Sequence, residues 1–245
     1  MTPNLIDINA DLGEGSGKDE SIMPLISSCS IACGGHYGTE TSMRTTVQLA
    51  KKYKVAVGAH PSFPDRDHFG RKLLSMTKSE LMQSIFDQLI HFYAVCETEE
   101  VPVHHIKLHG ALYNYAAVDA PTADAVVDAI VTTKIRPKLY VPYRSILAKK
   151  AENLLPLVFE AFIDRRYNDD LSLVDRSKQG AIIERPSQAW QQLFEMFTSQ
   201  TVTSISGTVQ PIVAQTYCIH SDHAAAVPIL RFIHEKMQQH SIPLL

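Results

Sequence analysis

The amino-acid sequence predicts an α/β protein built on a parallel sheet, from three observations. Short apolar runs alternate with longer segments of helical spacing along the chain, the pattern of repeated βα units. The runs are nearly continuous in apolar residues, as strands covered by helices on both faces are, whereas half-exposed strands would alternate. No low-complexity stretch, internal repeat or Pro/Gly/Ser linker divides them, so a single domain over residues 1–245 is expected. Barrels of this class run to roughly 250 residues as one unit.

The chain opens on a strand over residues 5–10. A second strand, 29–33, leads through Gly38 into a helix marked by Met43, Val47 and Ala50 at helical spacing. The third strand, 55–59, precedes a helix whose apolar face is Leu81, Ile85, Leu89, Phe92 and Cys96, with Thr77 and Glu80 forming a capping box ahead of it. Strands at 105–108, 138–141, 157–162 and 212–219 are followed by helices at 123–132, 145–153, 186–198 and 223–239, giving about seven βα units. Periodicity alone leaves an open doubly wound sheet and a closed barrel both standing.

Composition excludes some function classes. With 23 Lys plus Arg against 26 Asp plus Glu, a net charge of -3 and no basic cluster, the chain lacks the footprint of a nucleic-acid binder. The beginning of the chain reaches an acidic residue before a signal-like apolar stretch builds up, and no run approaches the roughly 18 residues of a membrane span, so a cytoplasmic protein without membrane partners is expected. Cys29, Cys33, Cys96 and Cys218 match no common zinc spacing and read as reduced, mostly buried thiols.

In parallel βα architectures reactive groups gather at the strand C-terminal ends, and six of the seven predicted strands here end in ionisable residues. Asp11 and Glu14 follow the first, His36 the second, His60 and Arg71 the third, and Lys107 and His109 the fourth, just ahead of Tyr113 and Asn114. Asp164, Arg165 and Arg166 follow the sixth, and His220 and Asp222 the seventh. One histidine in such a place is usually loop structure, but four of them imply a shared polar mouth. His68 and His105 are uncertain neighbours; His91, His104, His223, His234 and His240 fall on helices or the tail.

Three familiar signatures fail. The loop Gly13-Glu14-Gly15-Ser16-Gly17-Lys18-Asp19 has three residues between glycines where a Walker A loop has four, and Asp19 where Ser or Thr would hold magnesium. Lys18 also occupies the third glycine of a dinucleotide fingerprint, and no nucleophile elbow occurs. Cys33, beside Gly34 and His36, is weighed as a nucleophile, but the apolar run before it favours a structural thiol.

Segments spanning nearly the whole chain nevertheless resemble one family in its order. They are Asp7-Ile8-Asn9-Ala10-Asp11-Leu12-Gly13-Glu14-Gly15, Ile31-Ala32-Cys33-Gly34 with His36, Val57-Gly58-Ala59-His60-Pro61, Phe69-Gly70-Arg71, His109-Gly110-Ala111-Leu112-Tyr113-Asn114, Asp164-Arg165-Arg166-Tyr167 and Cys218-Ile219-His220. They are similar to the LamB/YcsF family, the A subunits of 5-oxoprolinase. The resemblance implies a parallel βα barrel of the glycoside hydrolase/deacetylase type. It also implies ATP-dependent opening of 5-oxo-L-proline to L-glutamate with partner subunits B and C. Three positions depart from the family pattern. Leu108 stands for a usual Pro, Tyr37-Gly38-Thr39 for Ala-Gly-Asp, and Ser221 for Gly. Thr39, where a carboxylate is lost, is expected to weaken a polar contact most, and Leu108 to alter backbone stiffness.

A γ-lactam amide is unreactive, so ATP, with Mg, is expected to phosphorylate the amide oxygen and create a better electrophile for water. Lys107 would contact phosphate or oxyanion, His60 or His109 would act as general base, and Asp11 would orient a histidine or a metal. Arg165 and Arg166 would hold the substrate carboxylate. Substrate contacts are further expected from Glu14, His36, Arg71, Tyr113, Asn114, His220 and Asp222. Two alternatives are a metal-dependent amidase with a divalent ion on Asp11, His36, His60 and His109, and a carrier that only delivers substrate.

Overall fold

In a computed structural model of the chain, residues 5–245 are described; the first four, part of the opening segment read above for a signal run, lie outside the described residues. Seven strands are β1 (Ile8–Leu12), β2 (Ser28–Ala32), β3 (Ala56–His60), β4 (Val103–Lys107), β5 (Lys138–Pro142), β6 (Leu157–Phe162) and, after the short strands β7 (Thr201–Thr203) and β8 (Val209–Pro211), β9 (Thr216–His220). They close into a parallel barrel in the order β1-β2-β3-β4-β5-β6-β9, with β9 pairing back onto β1. The open-sheet alternative is thereby removed.

The helices are α1 (Asp19–Ile22), α2 (Glu40–Tyr53), α3 (Lys78–Thr98), α4 (Gly110–Ala116), α5 (Ala120–Thr132), α6 (Ile146–Ala151), α7 (Pro186–Ser199) and α8 (Ala226–Gln239). In α3 the capping box forms as expected: Thr77 Oγ1 accepts from the Glu80 backbone N–H and Glu80 Oε2 from that of Thr77. Its stripe Leu81, Ile85, Leu89, Phe92 and Cys96 is buried. Each such large side chain contributes about 1.5–3 kcal/mol by leaving water. Outward-facing Leu12, Ile31, Val57 and Ile106 pack with those stripes into one apolar layer around the barrel.

Four sequence expectations are corrected. The first strand lies two to three residues later than its apolar run suggests, which puts Asp11 inside β1. The run 212–219 divides between the loop after β8, residues 212–215, and β9. His104 lies on β4, not on a helix or tail. Thr39 is the N-cap of α2, its hydroxyl accepting from the Ser42 N–H at 3.2 Å, a role that Asp fills equally well, so the departure there is a helix cap and not a lost site contact.

The staves turn alternate residues inward, and these are polar. Asn9 Nδ2 donates to Thr216 Oγ1 on the adjoining strand β9 (2.8 Å), Ser30 Oγ lies 3.0 Å from His105 Nε2, and Ser28 Oγ lies 3.3 Å from the Tyr140 hydroxyl. His105 is enclosed and stacked on Tyr140, and Gly58 makes room for it, since a Cβ at 58 would lie 2.3 Å from His105 Nε2.

Candidate active site

The interior stripes rise to a buried cation. Lys107 is 1% exposed, and its Nζ lies 2.8 Å from Asp11 Oδ1, 3.0 Å from Glu160 Oε1, 2.8 Å from Cys218 Sγ and 3.2 Å from Asn9 Oδ1. Burial pushes Lys107 down, but Asp11 foremost outweighs it and holds the ammonium well above the usual lysine range. Burial likewise pushes Asp11 up, and His60 with Lys107 reverses that, holding its carboxyl well below the usual range.

Above this floor stand Glu14, His36, His60 and His109, all buried, with ligand atoms within 4.8 Å of one another. His60 Nδ1 lies 2.8 Å from the Lys107 carbonyl and His109 Nε2 lies 2.9 Å from the Phe69 carbonyl. A carbonyl only accepts, so both nitrogens carry hydrogen, and the remaining nitrogens, His60 Nε2 and His109 Nδ1, face each other at 3.0 Å. Two lone pairs at that distance require a proton or a metal ion between them. Backbone acceptors behind imidazole ligands are the usual outer support of a metal site. Glu14 Oε1 completes the set at 2.8 Å from His36 Nε2 and 3.3 Å from His109 Nδ1. Burial, reinforced by Asp11, pushes Glu14 well up, and burial with His60 pulls His36 down to about 2. Glu14, and not Asp11, thus joins the three histidines; Asp11 is engaged by Lys107. The loop residue Gly70 (φ +62) lets the backbone pass close beneath the cluster, where a Cβ would come within 2.9 Å of His36 and 3.0 Å of His109.

The mouth opens into a cavity of about 850 Å³ lined by Asp11, His60, Lys107, His109, Glu160 and His220 at its base and by Arg71, Tyr113, Asn114 and Arg165 on its walls. Arg165 is 5% exposed; one amino group donates to the Val174 carbonyl and its Nε has no partner among the described residues. Arg71 pairs with Asp222, which Arg176 also approaches at 3.5 Å. His220 is held by Asp164, and Phe162 stacks on its ring. Arg166 is half-buried and outside the cavity lining, so the predicted arginine pair is parted.

Sequence reasoning passes over Glu160, Asn9 and Cys218 as site residues. Glu160 carries a signal, being the one charge in the apolar run 157–162. The two false leads have structural roles: Lys18 donates to the carbonyls of Ser221 and His223, and burial pushes the Cys33 thiol up to about 12. All four cysteines are free and buried, and no described helix is long and apolar enough to cross a membrane.

Comparison with known proteins agrees with this architecture. The LamB/YcsF family model matches residues 6–245. Proteins named as the A component of 5-oxoprolinase, from two Haemophilus influenzae strains, are 38% identical, covering 98% of this chain and 98% of each relative. The crystal structure of the lactam utilization protein from Thermus thermophilus superposes with a TM-score of 0.90 at 34% identity, covering 98% of both chains. The catalytic domain of a peptidoglycan N-acetylglucosamine deacetylase from Eubacterium rectale, at 13% identity and a TM-score of 0.51 over 99% of this chain and 89% of that one, shares the fold.

Proposed function

The chain belongs to the LamB/YcsF family, and from that membership we propose that it is the A component of a 5-oxoprolinase. In this reading it opens the lactam ring of 5-oxo-L-proline to L-glutamate, in an ATP-dependent reaction shared with subunits B and C in the cytoplasm. The observation that carries the reading is a buried lysine, ion-paired with Asp11, on the floor of a cavity that also offers imidazoles and a guanidinium edge without a partner among the described residues.

Hydrolysis of a lactam needs a donor for the developing oxyanion, a base for water and a grip on the substrate. Lys107, its hydrogens already taken by Asp11, Asn9 and Cys218, meets the oxyanion as a buried positive charge, and its two carboxylate neighbours keep it charged. His60 or His109 takes the proton from water. Asp11 Oδ2, 3.4 Å from His60 Nε2, fixes that ring while its other oxygen accepts from Lys107. Arg165 Nε would take the substrate carboxylate, the one group that sets 5-oxoproline apart from a plain lactam. Arg71, Tyr113 and Asn114 shape the walls, Asp222 holds Arg71, and Arg166, outside the lining, has no substrate contact in this reading.

The loop around Lys18 does not fit a nucleotide phosphate, because its ammonium is already committed to two backbone carbonyls. We assign ATP and its Mg to the assembly with subunits B and C. The test is glutamate formation from 5-oxoproline and ATP by this chain, by B plus C, and by the mixture. Glutamate only in the mixture supports the proposal; none in any combination overturns it.

The facing nitrogens of His60 and His109 favour a second reading, a metal-dependent amidase. Glu14, His36, His60 and His109 fit a divalent ion, which would supply Lewis-acid polarisation there when bound. Stoichiometric metal on elemental analysis, with amide hydrolysis that needs no ATP and stops on chelation, would replace the first reading by this one.

A further inference from the structure

Among the mouth histidines, His220 is held differently. His36, His60 and His109 turn nitrogens toward one another or toward Glu14. His220, at the end of β9, has Nδ1 at 3.0 Å from both oxygens of Asp164, which follows the neighbouring strand β6. The same carboxylate accepts from the His220 backbone N–H at 3.0 Å, so ring and main chain are clamped together. Phe162 stacks flat on the ring, with centroids 5.3 Å apart and planes 12° from parallel. Nε2 makes no hydrogen bond among the described residues, and the ring lines the cavity that holds His60 and Lys107. A ring nitrogen of His220 also lies within 4.8 Å of an Asp11 carboxylate oxygen, which places the dyad beside the Lys107 floor.

Ring opening makes a demand that the residues named so far do not meet. An amide nitrogen does not leave as an anion; it needs a proton as the C–N bond breaks. His60 and His109 deal with the attacking water, and Lys107 is committed to Asp11 and Glu160. A carboxylate behind one imidazole nitrogen fixes the tautomer and favours the imidazolium, which leaves the other N–H to be donated.

We propose that His220 is the general acid for the leaving lactam nitrogen and that Asp164 is its positioning residue. The assignment rests on the lactam-opening reading and deepens it. In the step, water adds to the ring carbonyl carbon and gives a proton to the base on the His60 side. The C–N bond then breaks, its electron pair stays on nitrogen, and the proton on His220 Nε2 moves to that nitrogen. His220 is left neutral, and the proton held on the base side passes through the cavity to restore it. Asp164 stays ionised throughout: burial pushes its carboxyl up, but His220 outweighs this and holds it below its ordinary value.

The discriminating experiment uses two ring substrates with the complete assembly, this chain together with B and C. One is 5-oxoproline with ATP. The other is the five-membered thiolactone carrying the same carboxylate, whose thiolate leaves without a proton. His220→Gln is expected to slow opening of the lactam by about a hundred- to ten-thousand-fold, the usual contribution of a general acid, while thiolactone opening changes by less than about tenfold. Asp164→Asn is expected to show the same selective loss to a smaller extent, and its retained thiolactone activity serves as the control for folding. Equal losses on both substrates in both variants, or no loss on the lactam, overturn the assignment. If the wild-type assembly opens the thiolactone but forms no glutamate from 5-oxoproline, the lactam-opening reading fails and this assignment with it.

Discussion

Asp7 and Asp11 stand on the same inward stripe of the barrel, one at its base and one below its mouth, and their chemistry is opposite. Both are buried. At the base, burial dominates and pushes the Asp7 carboxyl up to about 6, with hydroxyls of Ser27 and Thr216 the main relief. Below the mouth, His60 and Lys107 overcome the same penalty and hold Asp11 well down. Burial is common to both ends, so the neighbours decide: at the base hydroxyls recover only part of the burial penalty, whereas below the mouth an imidazole and an ammonium more than cancel it. One continuous polar interior thus holds a carboxylate that burial disfavours at its base and one that its neighbours stabilise below its mouth.

The strongest way to break this contrast is to remove the cation. Lys107→Met leaves Asp11 and Glu160 buried without their partner and should destabilise the fold by about 3–5 kcal/mol, read from urea melts at pH 7. A melt identical to wild type would show that the charges at the mouth are not what sets the two ends apart.

Next in size, His60→Ala and His109→Ala should each lower turnover by about 10²–10⁴-fold while calorimetric affinity for 5-oxoproline stays unchanged. Turnover and affinity falling together would favour the carrier over the enzyme. The same variants should lose any divalent ion that the wild type binds, since each removes one of four converging ligands.

At the other end, Asp7→Asn should stabilise the protein by up to about 3 kcal/mol at pH 7.5, because a shift of roughly two units corresponds to that much. The sign follows from proton linkage: a carboxyl with a raised folded pKa favours folding below its unfolded value of 3.8 and loses that contribution as pH rises through about 6. The gain from Asp7→Asn should therefore vanish near pH 3.5, and a gain that persists there would mean that packing, not ionisation, is responsible. Smallest of all, Thr39→Ala should cost about 1 kcal/mol through its helix cap and leave turnover unchanged. A loss of activity would return position 39 to the site.

Much of this arrangement is legible in the sequence because barrel staves covered by helices present apolar runs and strand ends converge. His36, His60, His109 and His220 do meet at one mouth. What cannot be read is which phase of each strand faces inward. Glu160 shares the inward face of β6 with Phe162 and points at Lys107, but in a run of six residues it looks like a solvated edge. The start of β1 is obscured because Leu5 and Ile6 continue the apolar run ahead of the strand proper. Three-residue β7 and β8 are too short to carry a periodicity, and α4 opens on Gly110, which reads as a loop. Asp164 is one charge among three in sequence, and only its distance to His220 gives it a partner.

Gly58 carries a consequence for how such a barrel can diverge. Its missing side chain and the His105 ring occupy one volume shared between neighbouring staves. An alanine at 58 has nowhere to go unless the ring at 105 shrinks in the same lineage, and a smaller residue at 105 alone leaves a hole that a residue larger than glycine at 58 would fill. The two positions are a single heritable character written in two codons, and relatives of this chain should exchange them together or not at all.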